Sequence, residues 1–536
     1  LLSVLLGGLG VASGQVSPAL EPVLDWEVPR FVGEYPAEYE AGAVVVTFHP
    51  RATAEERNAA FVAVGARRVE IVTPEIPGFF LVRVADGTEQ LAADLLRDAA
   101  GVLYSRKNWA RYPTGTLRAG GAGKGAAPQQ TPYNVAQSGA PTLWQLAEPG
   151  EADGGIRGGD VRVAIIGSGY LFHADLPVPL AVLDATVVGG PGNDITGHET
   201  TVSGFVLARD NEVCSVGAAP SAELVTVKVI PNGGPVTASI SARAIAAATR
   251  LVLSDSGGGL SASVRVINCS YQQFAFLPPD PDEEIACNLA LAAGIVLVTT
   301  AGNNDNCAVL PILGPGGFAS PITLASVDDA GVRSAVVDST LTSAVDLCAG
   351  GHEVPGIDQF GGCQMPVSGT SFAAPIVTGV AALLFDAAEA DPTLGRDPPV
   401  GFAVRQALIM GASDVVGGVC NYPTGRDAGS GWGLVNAPAS LLYLQRTLAC
   451  RPDYDRSGVL DGDDLADFVA DYMTTGSPAA GPAGYAVPAA ITKLVPGAPN
   501  PRAPFDELGY KCDFDQDGKL SPDDLADFIA AFMAGC

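Results

Sequence analysis

The sequence predicts an α/β protein built on a doubly wound, mostly parallel sheet. A small ferredoxin-like α+β unit precedes that sheet, and a small helical module follows it. Three observations carry this prediction. Between residues 155 and 445, the near-continuous β-rich runs 161–166, 224–230, 264–269 and 295–300 are separated by helical patterns such as 238–251 and 282–293. Strands apolar throughout are buried on both faces, as in a parallel sheet. Ahead of them, residues 42–112 read as β-α-β-β-α-β, the ferredoxin-like order. Behind them, residues 450–536 contain one acidic loop written twice.

The elements follow in chain order. Residues 1–14, LLSVLLGGLGVASG, read as the remnant of a signal peptide, and no later apolar run reads as a membrane span. Export to a secreted or extracellular location is the expectation. In the first unit AVVVTF (43–48), RVEIV (68–72), FFLVRV (79–84) and VLYS (102–105) are the strands. Thr53 and Glu56 are spaced as a capping box for the first helix, and Thr88 is placed to cap the second. Residues 113–154 form a linker and lead-in, Gly- and Ala-rich over 114–131 and suited to flexibility and cleavage.

Composition excludes some functions. Of 536 residues, 30 are Lys or Arg and 58 are Asp or Glu, a net charge of −28, which argues against nucleic-acid binding. Ten Cys in an acidic, loop-rich chain suggest an oxidising compartment, with a bridge between Cys348 and Cys363 as one guess; the absence of any CxxC pair argues against zinc.

Four ordered stretches carry the chemistry: VRVAIIGSGY (161–170), GHETTVSG (197–204), VTTAGNND (298–305) and MPVSGTSFAAP (365–375). Ser371 stands where loop becomes helix, at the positive end of the helix dipole. In this order the stretches resemble the subtilase family of serine peptidases, from about 155 to 445. The resemblance implies a secreted endopeptidase acting on polypeptide substrates. It places the nucleophile at Ser371, the general base at His198 and an oxyanion-hole amide at Asn303. It further implies that residues 42–112 are an inhibitor-like prodomain, with Asn108–Pro113 lying along the cleft like a substrate.

One position departs. The family carries its third triad member, an Asp, where this chain has Gly167. In subtilisin, losing that Asp costs about 3 × 10⁴ in kcat. From a typical starting rate the remainder is on the order of one turnover per hour. Weak or single-turnover activity is therefore expected, and a pseudoprotease serving as a binding scaffold is the alternative. Asp175, Asp194 and Glu199 are the carboxylates available to substitute, and Glu199 stands where the family resemblance has Gly, a second departure. Adjacent helical residues point apart, so Glu199 is expected to face the imidazole poorly.

The repeats DYDRSGVLDGDDLADF (453–468) and DFDQDGKLSPDDLADF (513–528) follow calcium-loop spacing. The expected Ca²⁺ ligands are Asp453, Asp455, Ser457, the Val459 carbonyl, Asp461 and Asp464 in the first loop. In the second they are Asp513, Asp515, Asp517, the Lys519 carbonyl, Ser521 and Asp524. The repeats resemble dockerin modules, which implies a cohesin-like docking partner. A monomer is expected.

Overall fold

The computed structural model describes residues 30–448 except 34–37, 114–115, 118–128, 147–154, 187–191, 195, 231–234, 254–261, 273–279, 304–308, 313, 334–338, 359–360, 364, 391–399 and 419–422. The signal-peptide reading of 1–14 and both calcium loops, Asp453 to Asp524, lie outside the described residues.

The N-terminal unit runs β1 (Tyr39–Phe48), α1 (Ala54–Ala63), β2 (Arg68–Ile71), β3 (Phe79–Arg83), α2 (Glu89–Arg97) and β4 (Val102–Pro113). The sheet order is β4-β1-β3-β2, and every pairing is antiparallel. Successive side chains alternate onto two covered faces, which explains why AVVVTF is apolar but for Thr47. Val44, Val46 and Phe48 pack against Ala60, Ala92, Ala93 and Leu96 of the two helices. Ala43 and Val45, on the opposite face, join Phe79 and Leu81 in a second core shared with the following domain. The capping box forms at α1: Thr53 accepts from Glu56 N–H, and the Glu56 carboxylate accepts from Thr53 N–H. Thr88 instead donates its hydroxyl to the Ala85 carbonyl, so it does not cap α2.

Beyond β4 come a short strand β5 (Thr116–Leu117) and two helices, Tyr133–Gln137 and Ala140–Leu143, which place Val135 and Leu143 in the main core. The large sheet then takes β6 (Arg162–Gly167), β7 (Ala181–Asp184), β8 (Glu223–Lys228), β10 (Val266–Cys269), β12 (Val296–Thr300), β13 (Ile322–Val327) and β14 (Leu347–Gly350). It is seven-stranded and parallel, in the order β14-β13-β12-β10-β6-β8-β7. Two short strands, β9 (Val236–Thr237) and β11 (Tyr271–Gln272), stand outside it. The helices that concern the site are α3 (His198–Leu207), α4 (Ala238–Arg250), α5 (Pro281–Ala292) and α6 (Thr370–Ala390).

Helix α6 is the central post. From Thr370 to Asp386 every residue is buried, and Ile376, Val380 and Leu384 lie in one core with the strands β6, β12 and β13. Gly379 is required by contact: a Cβ there would meet Ala218 Cβ at 2.5 Å. By length and composition α6 is apolar enough to cross a membrane, which corrects the expectation that no later run is. Its apolar window is wholly buried inside the protein, because sheet and helices cover every side of it.

The expected Cys348–Cys363 bridge is also corrected. Cys363 pairs with Cys214, with Cα atoms 5.1 Å apart. Cys348 is a buried free thiol in the middle of β14, held among core residues by the parallel ladder.

Candidate active site

Chain order positions the site. The chain leaves β6 to build β7 and β8 on one side, then crosses to β10 on the other. That reversal opens a crevice at the carboxyl ends of β6 and β10, where doubly wound sheets hold ligands. The ends in question are Gly167-Ser168-Gly169 and Ser270.

Ser371 enters from α6. Its hydroxyl donates to the Ser270 carbonyl at 3.1 Å, and Ser270 Oγ donates back to the Ser371 carbonyl at 3.2 Å. The side chain is fully buried. Asn303 follows β12, and its Oδ1 accepts from both Thr370 N–H and Thr370 Oγ–H at 2.9 Å. Those two bonds fix the carboxamide beside the residue preceding Ser371, with the amide NH₂ on the opposite side.

His198 opens α3 after Gly197, whose φ of 77° is one that side chains rarely adopt. The imidazole lies 5.7 Å from the Phe372 ring, centroid to centroid. Burial pushes its pKa down to about 4, with Asp194 partly opposing, so the ring is neutral at ordinary pH. Neither ring nitrogen has a hydrogen-bond partner among the described residues.

The three candidate carboxylates are separated by their partners. Asp194 is engaged at both oxygens: Oδ1 takes Thr196 N–H, Thr196 Oγ–H and Gly197 N–H, and Oδ2 takes Thr200 N–H and Oγ–H. Asp175 accepts from Ser215 N–H beside the Cys214 bridge, and burial raises its pKa to about 6. Asp175 N–H donates to His173 Nδ1, which gives that ring a structural role. Glu199 turns back over Gly167. A Cβ at Gly167 would meet Glu199 Oε2 at 3.1 Å, its Cβ at 3.4 Å and its Cγ at 3.5 Å. Gly169 N–H donates to Oε2, while Oε1 is buried with no partner. Glu199 is expected to face the imidazole poorly, and no hydrogen bond joins it to either ring nitrogen of His198; its side chain packs over Gly167 instead.

The N-terminal chain passes through the same crevice. Residues 110–113 of β4 pair antiparallel with β9 (Val236↔Arg111, Thr237↔Ala110) on one edge and with β11 (Tyr271↔Pro113, Gln272↔Tyr112) on the other. Two residues further on, β5 pairs with the strand β15 (Met365–Ser368), with Thr116 opposite Ser368 and Leu117 opposite Val367. The chain is thus held on both sides of the Gly-Thr-Ser turn. Sequence reading anticipated the first half of this path and missed Thr116–Leu117, because a Gly-rich stretch has no strand pattern of its own.

The model of the subtilase family matches residues 159–433. The chain belongs to the subtilase family. Among subtilase relatives, a thermostable alkaline protease of Halalkalibacterium halodurans is 31% identical over 231 residues, covering 43% of this chain and 58% of that protein. Subtilisin NAT of Bacillus subtilis subsp. natto is 29% identical over 258 residues, covering 48% and 61%. The chain therefore spans well under two thirds of either relative. Among solved structures, fervidolysin of Fervidobacterium pennivorans, a keratinolytic enzyme related to subtilisin, shares the fold, with a TM-score of 0.56 and 20% identity over 77% of this chain and 62% of that one.

Proposed function

We propose that this subtilase is the precursor of a secreted serine endopeptidase, and that residues 42–112 are its prodomain. Ser371 is the nucleophile, His198 the general base, and Asn303 with the Ser371 N–H forms the oxyanion hole. The observation that carries the reading is the pairing of residues 110–113 with β9 and β11, and of Thr116–Leu117 with β15, the strand that leads into Ser371. A peptide seated as an added antiparallel strand presents its carbonyls in a fixed register, so the bond nearest Ser371 falls between Pro113 and Thr116.

In the reaction, Ser371 Oγ bonds to the carbonyl carbon as its proton passes to His198, and the carbonyl oxygen becomes an oxyanion. His198 then protonates the departing amine as the C–N bond breaks. Water, deprotonated by the same imidazole, releases the acyl group from Ser371. A neutral imidazole is the form this requires.

The surrounding contacts support a docked prodomain. Thr47 Oγ lies 2.9 Å from both Asp282 carboxylate oxygens, Asn108 Nδ2 lies 2.9 Å from Ser239 Oγ, and Arg106 pairs with Asp280. The Cys214–Cys363 bridge supports export. The repeated acidic loops support a Ca²⁺-binding tail resembling dockerin, with a cohesin-like partner. Scaffold function without catalysis is the second reading, favoured by Gly167 and by a Ser371 hydroxyl turned to Ser270.

Mass spectrometry of the purified full chain tests the first reading, with Ser371→Ala alongside. The expected result is an N-terminal fragment ending between residues 113 and 116 in the wild type only. An intact wild-type chain supports the scaffold.

A further inference from the structure

We propose that Glu199 supplies the carboxylate that the first motif lacks, so that the third triad position has moved from strand β6 to the first turn of helix α3. The inference rests on the peptidase reading above and deepens it.

Four observations carry it. First, Gly167 is not a glycine for conformational reasons: its φ lies outside the positive range that marks the other special glycines. What glycine provides at 167 is room, and Glu199 fills it, with three side-chain atoms within 3.5 Å of a Cβ placed there. An Asp at 167 and a Glu at 199 would compete for one space, so the two departures from the family pattern are a matched pair.

Second, Glu199 is held where it is. Its N–H donates to Ser168 Oγ at 2.9 Å, and its Oε2 accepts from Gly169 N–H. Third, the unpaired atoms belong to adjacent residues: Glu199 Oε1 and both His198 ring nitrogens are buried without partners, and the two residues are 1% and 5% exposed. Unpaired polar atoms at such depth are costly unless they serve a reaction. Fourth, a counter-charge is close. Lys228 Nζ bonds the Ser168 and Asn193 carbonyls at 2.6 Å and attracts the Glu199 carboxylate electrostatically. Burial by itself raises the Glu199 pKa well above the ordinary value. The Gly169 hydrogen bond and Lys228 oppose that rise while Asp194 adds to it, and an imidazolium formed at His198 would favour the ionised carboxylate as the proton leaves Ser371.

The other carboxylates are less suited. Asp194 spends both oxygens on the cap of α3, and Asp175 is bonded to Ser215. Glu199 is thus a positioning residue, acting through His198.

The test compares wild type, Glu199→Gln, Glu199→Gly and the double variant Gly167→Asp/Glu199→Gly. It reads the single-turnover cut of the chain's own tail and steady-state hydrolysis of a fluorogenic peptide. Glu199→Gln preserves size and an acceptor for Gly169 N–H. It is expected to lower kcat by about 10³- to 10⁴-fold, near the loss known for the Asp of subtilisin, with KM within about twofold. The acid limb of its kcat/KM profile should move to lower pH, since a lone imidazolium loses its partner. The double variant should regain at least about a hundredfold over Glu199→Gly. Equal kcat in Glu199→Gln and wild type would overturn the inference while leaving the peptidase reading intact, as would a double variant no better than Glu199→Gly. A wild type without any Ser371-dependent cleavage would overturn both.

Discussion

Two helix starts in this molecule, those of α3 and α5, are built alike and do different work. Each has an Asp that caps the helix: Asp194 accepts from Gly197 and Thr200 N–H, and Asp280 accepts from Asp282 and Glu283 N–H. Each then carries a second buried carboxylate whose pKa burial raises, Glu199 in the cleft and Asp282 at the contact with the N-terminal unit. The difference lies in who satisfies the second carboxylate. Asp282 receives Thr47 from the N-terminal unit, which would leave with it. Glu199 receives Gly169 from its own domain, which stays. On the proposed function, one start would report docking and the other would serve the reaction, so mutations should separate the two.

The largest separation should come from Ser371→Ala. Removing this nucleophile is expected to lower cleavage by about 2 × 10⁶, as in subtilisin, while leaving the N-terminal unit bound. Co-elution of an uncut chain on gel filtration, with no fragment by mass, checks it. Asn303→Ala should cost about 10²–10³ in kcat, again by the subtilisin precedent, and leave docking unchanged. Loss of docking in either variant would break the comparison from the cleft side.

Asp282→Asn attacks it from the other side. Docking pushes the Asp282 pKa up to about 8 through burial, against the Thr47 hydrogen bond. Released to water, the group returns toward about 4. The docked state therefore holds the proton more tightly, so association is strongest below the lower value and weakens as pH rises toward the upper one, at most tenfold per unit. Thr47 bonds the Asp282 carboxylate directly and is itself bonded to the Tyr104 hydroxyl, and the Asp282 backbone N–H donates to Asp280, which pairs with Arg106. Asn cannot ionise, so Asp282→Asn should flatten the dependence between pH 5 and 8 in a titration of the cleaved N-terminal unit against the rest, with kcat unchanged. The smallest effect, confined to stability, belongs to Gly379→Ala. A methyl 2.5 Å from Ala218 Cβ should cost about 1–3 kcal/mol, read as a lower Tm with the pH dependence of docking retained.

How far the sequence announced all this depends on locality. The capping box of α1 and the runs at β6, β8, β10 and β12 were legible because each signal lies within a few residues. The four runs belong to strands buried on both faces. The edge strand Ala181–Asp184 was not, since it is short and half-buried. Leu347–Gly350 was not either, since two of its four residues are small. The second half of β4 has no strand pattern of its own: NWARYP was expected in the cleft only through the family resemblance, and it becomes a strand by pairing with β9 and β11. Gly167 was legible as a departure and Glu199 as a second one. That they share one space could not be read from positions 32 apart in a chain. The reciprocal change itself, side chain lost at one motif and gained at another, was the available signal. Gly167→Asp alone should not restore turnover, because Glu199 already fills the space.

The proposed function turns on residues 110–113 and 116–117, paired with β9, β11 and β15, being seated as a substrate would be. The most direct measurement is the intact mass of the N-terminal fragment after folding of the full chain, wild type beside Ser371→Ala. A C-terminus between 113 and 116 in the wild type, absent from the variant, is the predicted result. The same cut in both, or a cut elsewhere, would contradict it.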